Sequence, residues 1–123
     1  MPHLILEYSD NVEFDHKAFF EALHASLVET GAINLKGLKS RAVKRSEYYI
    51  ADGNRDYKFV HLLLVLREGR SREVREDIAQ RMMAQLEATF GHYRQSGHIS
   101  LSNDMQELEY GLALTKGNIP KLE

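Results

Sequence analysis

YKFVHLLLVLREG (residues 57–69) runs, across the single residue Arg70, into SREVREDIAQRMMAQLEATFGHY (residues 71–93), and the change of period between the two decides the fold. The first segment is an apolar run of strand length, suited to a strand covered on both faces. In the second, Val74, Ile78, Met82, Leu86 and Phe90 recur every fourth residue, which places them on one stripe of a helix. HISLSNDMQELEYG (residues 98–111) follows, alternating Ile99 and Leu101 with Ser100 and Ser102, the pattern of a half-buried strand. Strand, helix, strand is the reading of this half.

The preceding half repeats it. HLILEYS (residues 3–9) carries the unbroken Leu4, Ile5 and Leu6 of a second buried strand. FDHKAFFEALHASLVETG (residues 14–31) reads as a helix that Asp15 caps, that Phe19, Leu23 and Leu27 anchor, and that Gly31 ends. KGLKSRAVKRSEYYIADG (residues 36–53) reads as a polar, exposed strand closed by the turn signal DGN. The order β-α-β-β-α-β predicts an α+β fold. It is a duplicated β-α-β, a two-layer α/β arrangement in which right-handed crossovers lay both helices on one face of a four-stranded mixed sheet. The expected organisation is one domain over residues 1–123, with pseudo-repeats at about 1–53 and 54–111 and a tail at 112–123. The sheet face opposite the helices is left bare, and copies of the same chain are its simplest cover. Leu112, Leu114 and Ile119 suit a tail that clasps a neighbour.

Composition narrows the function classes. Sixteen Lys and Arg against 18 Asp and Glu give a formal net charge of -2 in 123 residues, so the whole-chain field offers nucleic acid no attraction and any anion site must be local. With no cysteine there is no disulfide, thiolate nucleophile or Cys-based zinc site. No early segment has the basic flank and apolar core of a signal peptide, and no apolar run approaches the ~18 residues of a membrane span. A cytoplasmic protein with no membrane partner is the expectation. The six histidines show no metal-ligand spacing, and DGNRDYKFVHLL fails as a calcium loop because Tyr57 stands at the turn glycine and Leu63 at the bidentate glutamate. No nucleophile elbow, P-loop or dinucleotide fingerprint is present.

What remains is a proline and a set of cations. Pro2 has two readings: a stiff first residue of a strand or, if Met1 is clipped, a terminal secondary amine able to act as a base. Lys39, Arg41 and Arg45 share one face of their strand by period two, either as solvated edge charges or as an anion site. Arg70 immediately precedes Ser71, a good helix cap. A guanidinium there suits either a carboxylate at the helix N-terminus or a structural cap.

The blocks MPHLILEYSDN, GLKSR, ADGNRDYKFVH and GRS, in this order and at these separations, resemble the 5-carboxymethyl-2-hydroxymuconate isomerase family of the tautomerase superfamily over nearly the whole chain. The resemblance implies a trimer of doubled β-α-β chains that needs no cofactor or metal. It implies Pro2 as catalytic base, with Arg70, Lys39 and Arg41 holding substrate carboxylates. The family pattern carries an arginine where this chain has Lys39 and retains Arg41; lysine keeps the charge but loses the bidentate fork. The reaction implied is proton relocation in an unsaturated di- or tricarboxylate of aromatic-compound catabolism, as in homoprotocatechuate degradation. Two alternatives stand beside it: another tautomerase-superfamily reaction on a related 2-oxo acid, and a non-catalytic oligomeric binding protein of the same fold.

Overall fold

A computed structural model describes residues 1–122. The elements are β1 (His3–Ser9), α1 (His16–Val28), β2 (Lys39–Arg45), β3 (Lys58–Arg67), α2 (Arg72–Phe90) and β4 (Ile99–Leu108), with single 3-10 turns at Leu35–Gly37 and Gly91–Gln95. All four strands join one sheet in the order β2-β1-β3-β4. β1 is parallel to β2, β3 is parallel to β4, and the central pair β1 and β3 is antiparallel. The duplicated β-α-β expected from the periods is therefore the fold.

Both helices begin where the sequence places a cap. Asp15 Oδ1 accepts the Ala18 N–H at 3.1 Å and Ser71 Oγ accepts that of Val74 at 3.2 Å, each satisfying a donor that the first turn leaves without a partner. Gly31, at φ +75°, takes the left-handed conformation that turns the chain away from α1. Leu4 and Leu6 of β1 and Val60, Leu62, Leu64 and Leu66 of β3 are fully buried against the helices, where Phe19, Leu23, Leu27, Ile78, Met82, Leu86 and Phe90 meet them. Phe14 closes this core, edge-on to Phe90 at 5.0 Å and to Phe19 at 5.9 Å. His24 Nε2 and Ser40 Oγ, 2.6 Å apart, fasten α1 to β2.

On the single chain the sheet face opposite the helices is bare, as expected: Leu63 and Val65 point away from the helices and are half-exposed, as is Ile5 beside them. One expectation is corrected. The polar strand expected over residues 36–53 is a strand only at Lys39–Arg45. It is an edge strand with β1 as its one neighbour, and the ladder ends where β1 ends, at the pair Ser9 and Arg45. Beyond that pair no neighbouring backbone can extend the hydrogen bonding. Residues 46–57 instead form a loop turned at Gly53, whose N–H donates to Ile50 O at 2.8 Å. Among the described residues no helix is long and apolar enough to cross a membrane.

Candidate active site

Pro2 is buried where β1 enters the sheet, between β2 and β3. Its carbonyl accepts the Lys39 N–H at 3.2 Å, and the next residue, His3, pairs with Lys39 on one side and Val65 on the other. Continuing the antiparallel register by two residues sets Arg67 beside the chain terminus. Met1, Lys36, Gly37, Lys39 and Arg67 line a cavity of about 280 Å3, with Thr115 and Lys116 of the C-terminal tail as part of its wall. The Met1 amino group donates to Thr115 Oγ1 at 3.4 Å.

Gly37 makes this approach possible. A Cβ built there would lie 2.7 Å from the Met1 carbonyl oxygen and 3.6 Å from Pro2 Cδ. The need is for space rather than for an unusual backbone angle.

The electrostatics of the terminus favour a neutral amine. Burial, then a hydrogen bond and the charge of Lys39, then the charge of Arg67, hold the terminal amino group below its ordinary pKa of 8.0. With Met1 present the Pro2 nitrogen is an amide; with Met1 removed it becomes a secondary amine in this cationic, partly desolvated position.

The other expected site residues lie at varying distance from this centre. Arg41, exposed on β2, sets Nη1 3.1 Å from His3 Nδ1. Burial first, then the Arg41 charge, lowers the His3 pKa below 6.5. Arg45, on the same face, is neutralised by Glu7 at 2.8 Å. Arg70 is at this end of the sheet but outside the cavity lining. It does not face the helix N–H groups. Its Nε and Nη2 donate to Ala32 O at 3.1 and 3.0 Å and its Nη1 to Arg67 O at 3.0 Å. Three of the five guanidinium N–H groups are thus spent on carbonyls, and two remain for a ligand. Lys36, Arg67 and Lys116 are the cavity cations that sequence reasoning missed. The available signal for Arg67 was its place as the first charge after the β3 apolar run, at the strand end next to the β1 start. Among the described residues no three His, Asp or Glu side chains gather as metal ligands.

Residues 2–122 match a family model described as 5-carboxymethyl-2-hydroxymuconate isomerase. The chain is 32% identical to the Escherichia coli 5-carboxymethyl-2-hydroxymuconate Delta-isomerase, with 99% of this chain and 98% of that protein aligned. A crystal structure of a 5-carboxymethyl-2-hydroxymuconate isomerase from Deinococcus radiodurans R1 superposes with a TM-score of 0.91 at 31% identity, covering 96% of this chain and 90% of the other. A fused 4-OT described as a symmetric trimer shares the fold at a TM-score of 0.64 and 14% identity, covering 92% and 94%. Matched along nearly its full length in sequence and in backbone, and with a proline at the head of β1, the chain belongs to the 5-carboxymethyl-2-hydroxymuconate isomerase family, an isomerase on the tautomerase fold.

Proposed function

We propose that the chain moves a proton within an unsaturated 2-hydroxy or 2-oxo di- or tricarboxylic acid, with 5-carboxymethyl-2-hydroxymuconate the foremost candidate, and that the Pro2 nitrogen is the base once Met1 is removed. The observation that carries this reading is a buried proline directly after Met1, whose amino group stands at a cationic cavity and is held below its ordinary pKa. Pro2 nitrogen takes the proton of the dienol 2-hydroxyl as the electrons of that bond move into the conjugated system. The same nitrogen then delivers the proton to carbon five, leaving the conjugated ketone. Proton and charge balance without an oxidant, reductant or second substrate, so the reaction calls for no cofactor.

Lys39, Arg41 and Arg70 are the residues we assign to the substrate carboxylates. Positive charge here acts twice: it holds the anion and stabilises the dienolate that develops as the hydroxyl proton leaves. We also assign the chain a homotrimeric assembly, a cytoplasmic location and a place in aromatic-compound catabolism. The half-exposed Ile5, Leu63 and Val65, the apolar tail residues and the trimeric relative of the same fold support the assembly.

The test uses one preparation carrying a removable extension ahead of Pro2, assayed on a 2-hydroxymuconate-type acid before and after cleavage. Acylation of the nitrogen withdraws its lone pair into an amide, so turnover is expected only after cleavage, with secondary structure unchanged throughout. Equal turnover in the two samples would remove Pro2 as the base.

A further inference from the structure

The cavity at the chain terminus continues past Lys39. Lys36, Lys39 and Ile119 line it, and the same three side chains line a second cavity of about 400 Å3 together with Leu35, Leu38, His24 and Leu122. The two form one trough. Residues 35–39 make one wall, and the tail makes the other, running from Thr115 and Lys116 at the terminus to Ile119 and Leu122 at the far end. Arg67 Nε donates to Ala113 O at 2.8 Å, so the hold of the tail on β3 does not depend on Met1. The second cavity differs in character from the first: four of its side chains are aliphatic, and no described Asp or Glu lines it. His24 sets Nε2 2.6 Å from Ser40 Oγ, and burial holds its pKa below 6.5, so at neutral pH its ring is an uncharged wall.

Lys36 and Lys39, common to both cavities, are in no ion pair among the described residues. Lys39 Nζ donates to Gly37 O at 3.0 Å, which uses one of its three donors. A carboxylate suits these ammonium groups, and whatever follows it into the second cavity meets aliphatic carbon. A second carboxylate there would lose its water without gaining a partner. An alkyl arm gains instead, by about fourfold in affinity for each methylene fully buried. Volume does not limit the arm, since an apolar cavity of about 150 Å3 already holds benzene. We propose that the trough binds monocarboxylic acids with an aliphatic arm, the carboxylate at Lys36 and Lys39 and the arm between Leu35, Leu38, Ile119 and Leu122. The acids this chain takes then extend beyond di- and tricarboxylates to alkyl-substituted ones. Turnover of such acids rests on the isomerase reading; their binding needs only the two cavities.

The experiment is calorimetric titration of full-length, Met1-free protein with butyrate, hexanoate and octanoate, and with adipate as a diacid control. Affinity is expected to rise about threefold with each added methylene, somewhat less than full burial gives because the trough is open to solvent. Ile119 and Leu122 are both exposed on the single chain, so replacing them costs the fold little. The double variant Ile119→Ser, Leu122→Ser is expected to weaken octanoate about tenfold, and butyrate and adipate less than about threefold. Ile119→Val with Leu122→Ile should keep octanoate within about threefold of wild type. Octanoate binding no tighter than butyrate, or a double serine variant that changes all four acids equally or none, overturns the proposal; melting curves exclude misfolding as the cause. An oligomer that dissociates in the serine variant while octanoate still binds as in wild type assigns this wall to a neighbouring copy and overturns it as well. Chain-length dependence without turnover of any 2-hydroxymuconate-type acid would defeat the isomerase reading and leave the apolar chamber standing. Turnover without chain-length dependence would do the reverse.

Discussion

At Gly37 a single missing Cβ separates two forms of the protein. The two closest atoms to an added methyl are the carbonyl oxygen and carbon of Met1, at 2.7 and 3.5 Å, and both leave when Met1 is removed. Gly37→Ala should therefore destabilise Met1-bearing protein by about 1–3 kcal/mol, the usual cost of overpacking. The processed chain, whose nearest contact is then Pro2 Cδ at 3.6 Å, should melt within about 2 °C of wild type. Its kcat/KM should nevertheless fall about tenfold, because the methyl occupies space in front of the base. Parallel melting curves of the two forms and one kinetic assay check all three statements. The pH dependence is also set at this scale. The base acts as the free amine, so kcat/KM rises with pH through its pKa and levels off above it. Burial, Lys39 and Arg67 lower the pKa of the Met1 amino group one residue away; the Pro2 nitrogen freed at the same strand start is expected to meet the same cations, which moves the plateau to lower pH than an ordinary amino terminus would give. Lys39→Met removes a hydrogen bond and a charge that disfavour protonation, so the rising limb should shift to higher pH and the loss of activity should be greatest in acid. A limb that stays in place in the pH profile of this variant contradicts the assignment.

Between elements, Arg70 is a tie as well as a candidate ligand. It joins the loop after α1, through Ala32 O, to the turn between β3 and α2, through Arg67 O. Removing it leaves those carbonyls without their donors, so Arg70→Ala should lose about 1–3 kcal/mol in urea unfolding. If its two remaining N–H groups also hold a substrate carboxylate, kcat/KM of the still-folded variant should fall roughly 30-fold or more. Destabilised but fully active protein would leave Arg70 with the structural role alone. The same scale shows how far the sequence could be read. The period of four in Phe19, Leu23 and Leu27, and in Ile78, Met82, Leu86 and Phe90, marked both helices because a helix carries its burial pattern within itself. The end of β2 was not legible in the same way: KRSEYYI has the composition to continue a strand, and the missing neighbour beyond Ser9 stops it.

For the whole molecule the unresolved burial is on the second face of the sheet and in the tail. Tyr110, Leu112, Leu114, Ile119 and Leu122 are all exposed on the single chain, as is Tyr49 in the β2–β3 loop. Five of these six stand within residues 110–122, a concentration of exposed large apolar side chains that suits the trimer proposed above. Sedimentation equilibrium should report a particle near three times the 14.2 kDa chain, and a stable monomer at micromolar concentration would contradict the trimer.

The sequence by itself determined the element types, the two caps, the doubled β-α-β and the presence of a proline where a terminal base could form. Each of these depends on residues within a few positions of one another, where period, capping chemistry and side-chain character act locally. Only the tertiary structure decided what surrounds that proline: the register that sets Arg67 beside the terminus, the space at Gly37, the turning of Arg70 onto carbonyls and the return of the tail to the Met1 amino group. Arg70 reaches its Ala32 partner across 38 positions, and Met1 its Thr115 partner across 114. Contacts at such separations follow from how the whole chain packs its core and pairs its strands, and no local pattern of residue types specifies them.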